Sequence, residues 1–314
     1  MFWNSIQSVL ILMILTGLGF AMSAAKILGK PALGFCSKAV FYVGAPCLLF
    51  LSITNTMTKE LLLSSWTLMV IPTGTFAVFI IIGAILAKIM KMPDSRSGIF
   101  ITNFAFSNTM FVGLPVALAL YGDAGVLPTL FVFIPNTLLY WTVGIYFIAK
   151  GGPKKTGIFS LATLRNVFSP PLIGSILGIV VVLSGLQLPD FFKKTVEYCG
   201  DITVPLSMIF TGAVMQQAGF KKGMRIDLAI GLIILSHAIL MPVARYFSCL
   251  WMNITGVTRG IFVVQGALPV MTSIAIVADQ YGADTEYATK NFIWTMLLSF
   301  AFIPLYMFLL GVLP

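Results

Sequence analysis

Ten apolar runs, each long enough to cross a bilayer and separated by short polar breaks, constrain this 314-residue chain more than any single motif in it. They fall at about 5–25, 34–54, 62–88, 97–121, 125–149, 168–187, 192–217, 227–250, 258–279 and 287–312. A transmembrane helix needs roughly 20 consecutive apolar residues, and each run supplies them. Charged residues make up only 9% of the chain and the mean hydropathy is +1.01, whereas about a quarter of an average soluble domain is charged. The expectation is an all-α integral membrane protein. A β-barrel is excluded because the runs are continuous and far longer than alternating barrel strands. The first run lacks a basic flank and is long for a signal peptide, so it reads as a retained span.

The net charge of +9 does not point to nucleic acid, because the basic residues sit in short connections and form no stripe with interleaved aromatics. Topology explains them. Fourteen lie in or beside connections after odd-numbered runs, including Lys26, Lys30, Lys88, Lys91, Arg96, Lys150 and Arg165. Five, Lys59, Lys193, Lys194, Arg245 and Arg259, fall on the other side. The positive-inside rule then puts the first set in the cytoplasm and both termini outside the cell membrane. Trp3, Trp66 and Trp251 fall near outer span ends as interfacial anchors.

The fourth run, Ser97 to Gly122, carries Asn108, Thr109, Gly113 and Pro115 where a simple anchor would carry leucine. Proline has no backbone N–H and collides with the carbonyl four residues earlier, so the helix is expected to open there. Open backbone in hydrocarbon survives only when buried in protein or facing a watery cavity, the arrangement carriers use for solute. The polar connection from Lys150 to Arg165 divides the chain almost in half, and the halves match. Ala87-Lys88 answers to Ala244-Arg245, Gly98-Ile99-Phe100 to Gly260-Ile261-Phe262, and Gly44-Ala45-Pro46 to Thr203-Val204-Pro205, at offsets of 157, 162 and 159 residues. The expected organisation is a five-span repeat over 1–150, a cytoplasmic linker over 151–167 and a second five-span repeat over 168–314. Two copies of an odd-numbered unit must be inverted relative to each other.

The ninth run is interrupted as well, at Gln265-Gly266-Ala267-Leu268-Pro269-Val270-Met271-Thr272-Ser273. Two breaks in matching places point to one site, where helices 4 and 9 cross and half-helix N-termini present partial positive charge to an anion. Asn108, Thr109, Gly113 and Pro115 from one repeat, with Gln265, Pro269, Thr272 and Ser273 from the other, are the substrate-binding candidates. Asn103 and Asn136 serve equally well as interhelical glue or as function. Pro46 and Pro205 either kink their spans or shape the cavity. Asp201 is either a functional carboxyl for proton or ion coupling or a cap at the outer end of span 7. A lone His237 in mid-span is better explained by a hydrogen bond to a neighbouring helix than by proton relay.

Nothing suggests catalysis. HExxH, GxSxG, a Walker A lysine and CxxC are all absent, so the chain is expected to be no enzyme, to need no cofactor and to hold no metal. Cys36, Cys47, Cys199 and Cys249 lie singly in or beside apolar runs, as small core residues do. Small residues in spans 1 and 6, among them Gly174 and Gly178, suit either a homodimer or packing within one chain.

Asn108-Thr109-Met110-Phe111-Val112-Gly113-Leu114-Pro115, followed by Tyr121-Gly122, resembles the fourth-span signature of the auxin efflux carrier family of plant PIN-type carriers and bacterial malonate and malate permeases. Val264-Gln265-Gly266-Ala267-Leu268-Pro269 with Ala278-Asp279-Gln280-Tyr281-Gly282 is similar to its ninth-span counterpart. The resemblance implies ten spans in two inverted repeats, a scaffold part and a transport part, crossed helices 4 and 9, and elevator-like carriage of small organic anions, with Asn108 touching substrate. Two departures stand out. Thr272, Ser273 and Ile274 replace the second proline or asparagine of relatives, and the short linker leaves no room for a large cytoplasmic domain. The function implied is a secondary transporter of a malate-like, malonate-like or auxin-like anion, driven by a proton, sodium or the solute gradient. The alternatives are a sodium-coupled bile-acid-type carrier and a membrane receptor that binds without transporting.

Overall fold

In the computed structural model, which describes residues 2–59, 66–152, 168–219 and 225–312, every element is a helix apart from one isolated bridge between Ser107 and Val270. Seven helical stretches among the described residues are long and apolar enough to span a bilayer: Ile6–Ala24, Lys30–Thr56, Trp66–Ile89, Thr109–Lys150, Asp190–Ala218, Leu228–Trp251 and Thr285–Gly311. Large apolar side chains face outward along them, Ile14 at 69% exposed, Phe35 at 70% and Trp251 at 85%. Water would penalise such a surface and lipid does not, so the chain is an integral membrane protein with several spans. Most of the linker at 151–167, with Lys154, Lys155 and Arg165, and the basic pair Lys221 and Lys222 lie outside the described residues.

The chain divides into two compact units, and each takes segments from both halves of the sequence. The first comprises Met1–Leu68, Met110–Leu130 and Phe168–Phe220. Its helices approach through glycine. A side chain on Gly19 would meet the carbonyl of Ile209, and one on Gly212 the carbonyl of Thr16, so the helix Phe2–Ala24 lies directly against the helix Thr203–Ala218. Gly174 plays the same part beneath Pro46, where the helix Pro170–Ser184 packs on Ala45–Thr56. The small residues of spans 1 and 6 are thus used inside the chain. In hydrocarbon, where apolar area drives no association, this contact is what holds helices together.

The second unit comprises Met69–Thr109, Phe131–Val167 and Lys221–Pro314. Its core is aromatic, with Phe79 stacked on Phe104 at 5.7 Å and Phe76 on Phe106 at 5.6 Å. Arg245, assigned above to an outer connection by its charge, lies instead wholly buried in the helix Met241–Trp251. Its Nη1 donates to the Phe262 carbonyl at 3.2 Å and its guanidinium lies 4.9 Å from the Phe76 ring centroid. A carbonyl and an aromatic face give a cation the shelter that a charge count cannot foresee.

One loop of this unit is tied down by charge. The Asp284 N–H donates to the Ser95 carbonyl at 3.1 Å, while its carboxylate accepts from the Tyr287 N–H at 2.9 Å and from Arg96 Nε at 2.6 Å. Burial alone would raise this carboxyl, but the Tyr287 N–H and the Arg96 guanidinium together hold it below its usual value of 3.8. A depressed carboxylate adds stability above its unfolded value of about 3.9, and that stability fades as pH falls through the folded value.

Two measurements test these contacts. In detergent, Gly212→Val should lower the thermal midpoint by the equivalent of about 1–3 kcal/mol, whereas Gly17→Val, with no atom within 4 Å of its new Cβ, should leave it nearly unchanged. Acidification below about pH 4 should destabilise the wild type more than Asp284→Asn, and a parallel fall in both would show that the Arg96 pairing adds nothing.

Candidate functional site

The helix Asp94–Ala105 stops short of its expected length, and Phe106 takes an extended conformation at φ −108°, ψ 135°. The chain resumes as a wide turn over Thr109–Gly113 and a helix over Leu114–Tyr121. The break is therefore at 106–108, before the glycine and proline expected to cause it. Pro115 stands instead within the resumed helix, one residue after the widened turn Thr109–Gly113.

What opens the ladder is a competing partner. Ser107 pairs with Val270 in an antiparallel bridge, and the Asn108 N–H donates to the Pro269 carbonyl at 2.8 Å. Val270 lies between the helices Gly256–Gly266 and Ser273–Tyr281, so the second break is present where Gln265 to Ser273 placed it. The two interrupted segments cross inside the second unit. The carbonyls that the first helix loses are taken up by another helix: His237 Nε2 donates to Asn103 at 2.7 Å and Ser236 Oγ to Phe104 at 2.6 Å. On the other segment, the Val270 N–H donates to Thr295 Oγ1 at 3.2 Å.

Around the crossing the side chains are polar and uncharged. Asn108 and Thr109 are each 2% exposed and Gln265 1%. Thr272 and Ser273 are half-buried at the start of the following helix, and Ser273 Oγ donates to Tyr140 Oη at 3.2 Å. Asn136 is more central than the sequence suggested. Its Nδ2 reaches the Ser107 carbonyl and Thr109 Oγ1, both at 3.2 Å, and its Oδ1 has no partner among the described residues. The only sequence signal was an amide after Pro135 in an apolar run, and glue explained it as well as function did. Tyr140 gave no signal at all.

The remaining candidates belong to the first unit. Gly113 and Pro115 are buried but belong to the first unit, because the boundary between units falls after Thr109. Asp201 lies within the spanning stretch Asp190–Ala218, two residues before the helix Thr203–Ala218. It is exposed at the end of the helix Asp190–Asp201 and lines a first-unit cavity of about 320 Å³ with Asp123, Lys193 and Glu197. Among the described residues no group of three His, Cys, Asp or Glu is placed to hold a metal.

Interrupted helices buried in a multi-span protein occur in carriers, and comparison with known proteins gives the family. A family model described as membrane transport protein matches residues 4–307. The chain belongs to this family, that of the auxin efflux carriers. Members of it are membrane transporters and not enzymes. An uncharacterized transporter of Methanocaldococcus jannaschii is 25% identical over 306 residues, covering 95% of this chain and 96% of that one. A protein provisionally named a malonate transporter in Rhizobium meliloti is 25% identical over 301 residues, 92% of each chain. Protein PIN-LIKES 1 of Arabidopsis thaliana is 29% identical over 116 residues, 36% of this chain and 25% of its own.

The capture of the broken helix is open to direct test. Ser236→Ala and His237→Leu each strand a buried carbonyl, so each should destabilise the protein by about 1–3 kcal/mol. His237→Gln keeps an N–H donor and should recover part of the loss in the same melting experiment. Equal melting of His237→Leu and wild type would show that the carbonyl finds another partner.

Proposed function

We propose that this membrane transport protein is a secondary carrier that moves a small organic anion of the malonate or malate class across the cell membrane by alternating access. The observation that carries the reading is the joined pair of breaks, Asn108 N–H on the Pro269 carbonyl beside buried Thr109, Gln265 and Asn136. Amide and hydroxyl groups can orient a carboxylate by hydrogen bonds without the fixed charge that would slow its release. The half-helix that begins at Ser273 adds the positive end of its dipole. The provisional name of the Rhizobium relative supports the same class of solute.

In this reading the ten runs are ten spans in two inverted repeats, with both termini outside. The two compact units, each drawing on both halves of the chain, supply the two bodies that alternating access requires. Substrate would be held by Asn108, Thr109, Gln265, Pro269, Thr272 and Ser273, to which Asn136 is added. Gly113 and Pro115 would shape the backbone next to them. Asp201, exposed to a cavity, is the first candidate for coupling to a proton or cation.

Thermal stability in detergent across a panel of mono- and dicarboxylates, for wild type and Asn108→Leu, tests the site. A solute at 100 times its dissociation constant should add about 2.7 kcal/mol to the wild type. The variant should gain much less, and uptake of the stabilising compound into sealed vesicles should fall with it. Stabilisation without uptake would favour a receptor. Equal stabilisation of both proteins would remove the anion from the crossing.

A further inference from the structure

The second unit contains a basic cavity that the carrier reading leaves unused. It encloses about 400 Å³ between the last turn of the helix Val70–Ile89, the first turn of Asp94–Ala105 and the last turn of Ile145–Lys150. Lys88, Lys91 and Lys150 line it, with Asp94 and Ser97. Three ammonium groups thus face one carboxylate, and none of the three lysines forms an ion pair among the described residues. A lysine in the last turn of a helix is ordinarily explained by the helix dipole, which accounts for Lys88 and Lys150 separately. It does not account for Lys91. That residue follows the helix in a left-handed turn at φ 49°, closed by a Met92 N–H bond to the Ala87 carbonyl at 3.1 Å, at a position where glycine is the usual residue.

The walls are held close. A side chain on Gly98 would overlap the Phe147 carbonyl, and one on Gly151 the Asp94 carbonyl, so two of the three helix ends meet backbone to backbone. Location decides what such a cavity can take. Two of the apolar stretches long enough to span a membrane, Trp66–Ile89 and Thr109–Lys150, end at it, which places the lysines at the bilayer surface. Ile85 and Ile81, three and seven residues before Lys88 and so on its side of the helix, are 53% and 58% exposed. An apolar face therefore runs from the cavity into the hydrocarbon.

We propose that this cavity binds the phosphate of an anionic phospholipid, with Lys88, Lys91 and Lys150 as its counter-charges and one acyl chain lying along Ile81 and Ile85. Lysine serves phosphate as a point charge, and basic pockets between membrane helices suit lipid headgroups. A soluble phosphate monoester has the same charge chemistry but would leave the isoleucine face unused. Binding at this place does not depend on which solute the crossing takes.

The test is native mass spectrometry of the full-length protein in detergent, titrated with phosphatidylglycerol, phosphatidylcholine or glycerol phosphate. The wild type should bind phosphatidylglycerol at least tenfold more tightly than phosphatidylcholine and should ignore glycerol phosphate. Lys88→Gln/Lys91→Gln/Lys150→Gln should lose that preference. Lys26→Gln/Lys30→Gln/Lys38→Gln, with the same charge change in the first unit, should keep it. If the triple variant proves unstable, Lys91→Gly retains the left-handed turn and should weaken binding about threefold, while Ile81→Ser/Ile85→Ser should weaken the lipid alone. An unchanged preference in the lysine variants overturns the site. Equal binding of glycerol phosphate, with no effect of the isoleucine variant, overturns the lipid.

Discussion

A peptide group in hydrocarbon has no water to bond to, and this constraint governs the centre of the molecule. Interrupting a helix at 106–108 strands carbonyls and amides at a cost of several kcal/mol each unless other segments reach them. Here several do: Ser236 and His237 take two carbonyls, Asn136 takes that of Ser107, and Pro269 accepts the Asn108 amide. The second unit exists as a body because its parts satisfy one another's open backbone. The helix that carries His237 supplies two of these partners.

Proline is handled by the same rule at a distance from the crossing. Pro242 cannot donate to Ala238 and pushes against its carbonyl, so the turn Ser236–Leu240 widens into a π-helix. The Ala238 carbonyl released in this way accepts the Tyr306 hydroxyl at 2.6 Å. Widened turns also stand immediately before Pro46 and Pro115, in Val40–Gly44 and Thr109–Gly113. These three prolines adjust their helices and do not end them.

Uncharged groups meet at the crossing, while the fully buried cation, Arg245, is held elsewhere in the same unit by a carbonyl and a phenyl ring. In the proposed transport cycle that separation matters. A neutral site can hold an anion by aligned donors and still release it, whereas a buried guanidinium at the same point would hold it too firmly. Lys88, Lys91 and Lys150, which form no ion pair among the described residues, line a cavity at helix ends instead.

Membrane embedding, the transport family and the existence of two interrupted helices were legible in the residues, because run length, scarcity of charge and misplaced polar residues are local properties. The position of the first break was not, since Pro115 and Gly113 mark local strain while the ladder yields to a partner 163 residues away, Val270 on Ser107. Nor was the importance of Asn136, whose neighbours Thr109 and Ser107 lie 27 and 29 residues off. Arg245 had the charge of a loop residue and the surroundings of a core one. Asp201 read from the sequence as either a functional carboxyl or a cap, and the structure exposes it to a cavity within the stretch Asp190–Ala218. Run length and composition dictate what solvent the chain must live in and where its helices are weak. Which weak points open depends on packing, because a helical hydrogen bond in hydrocarbon gives way where another segment arrives to replace it.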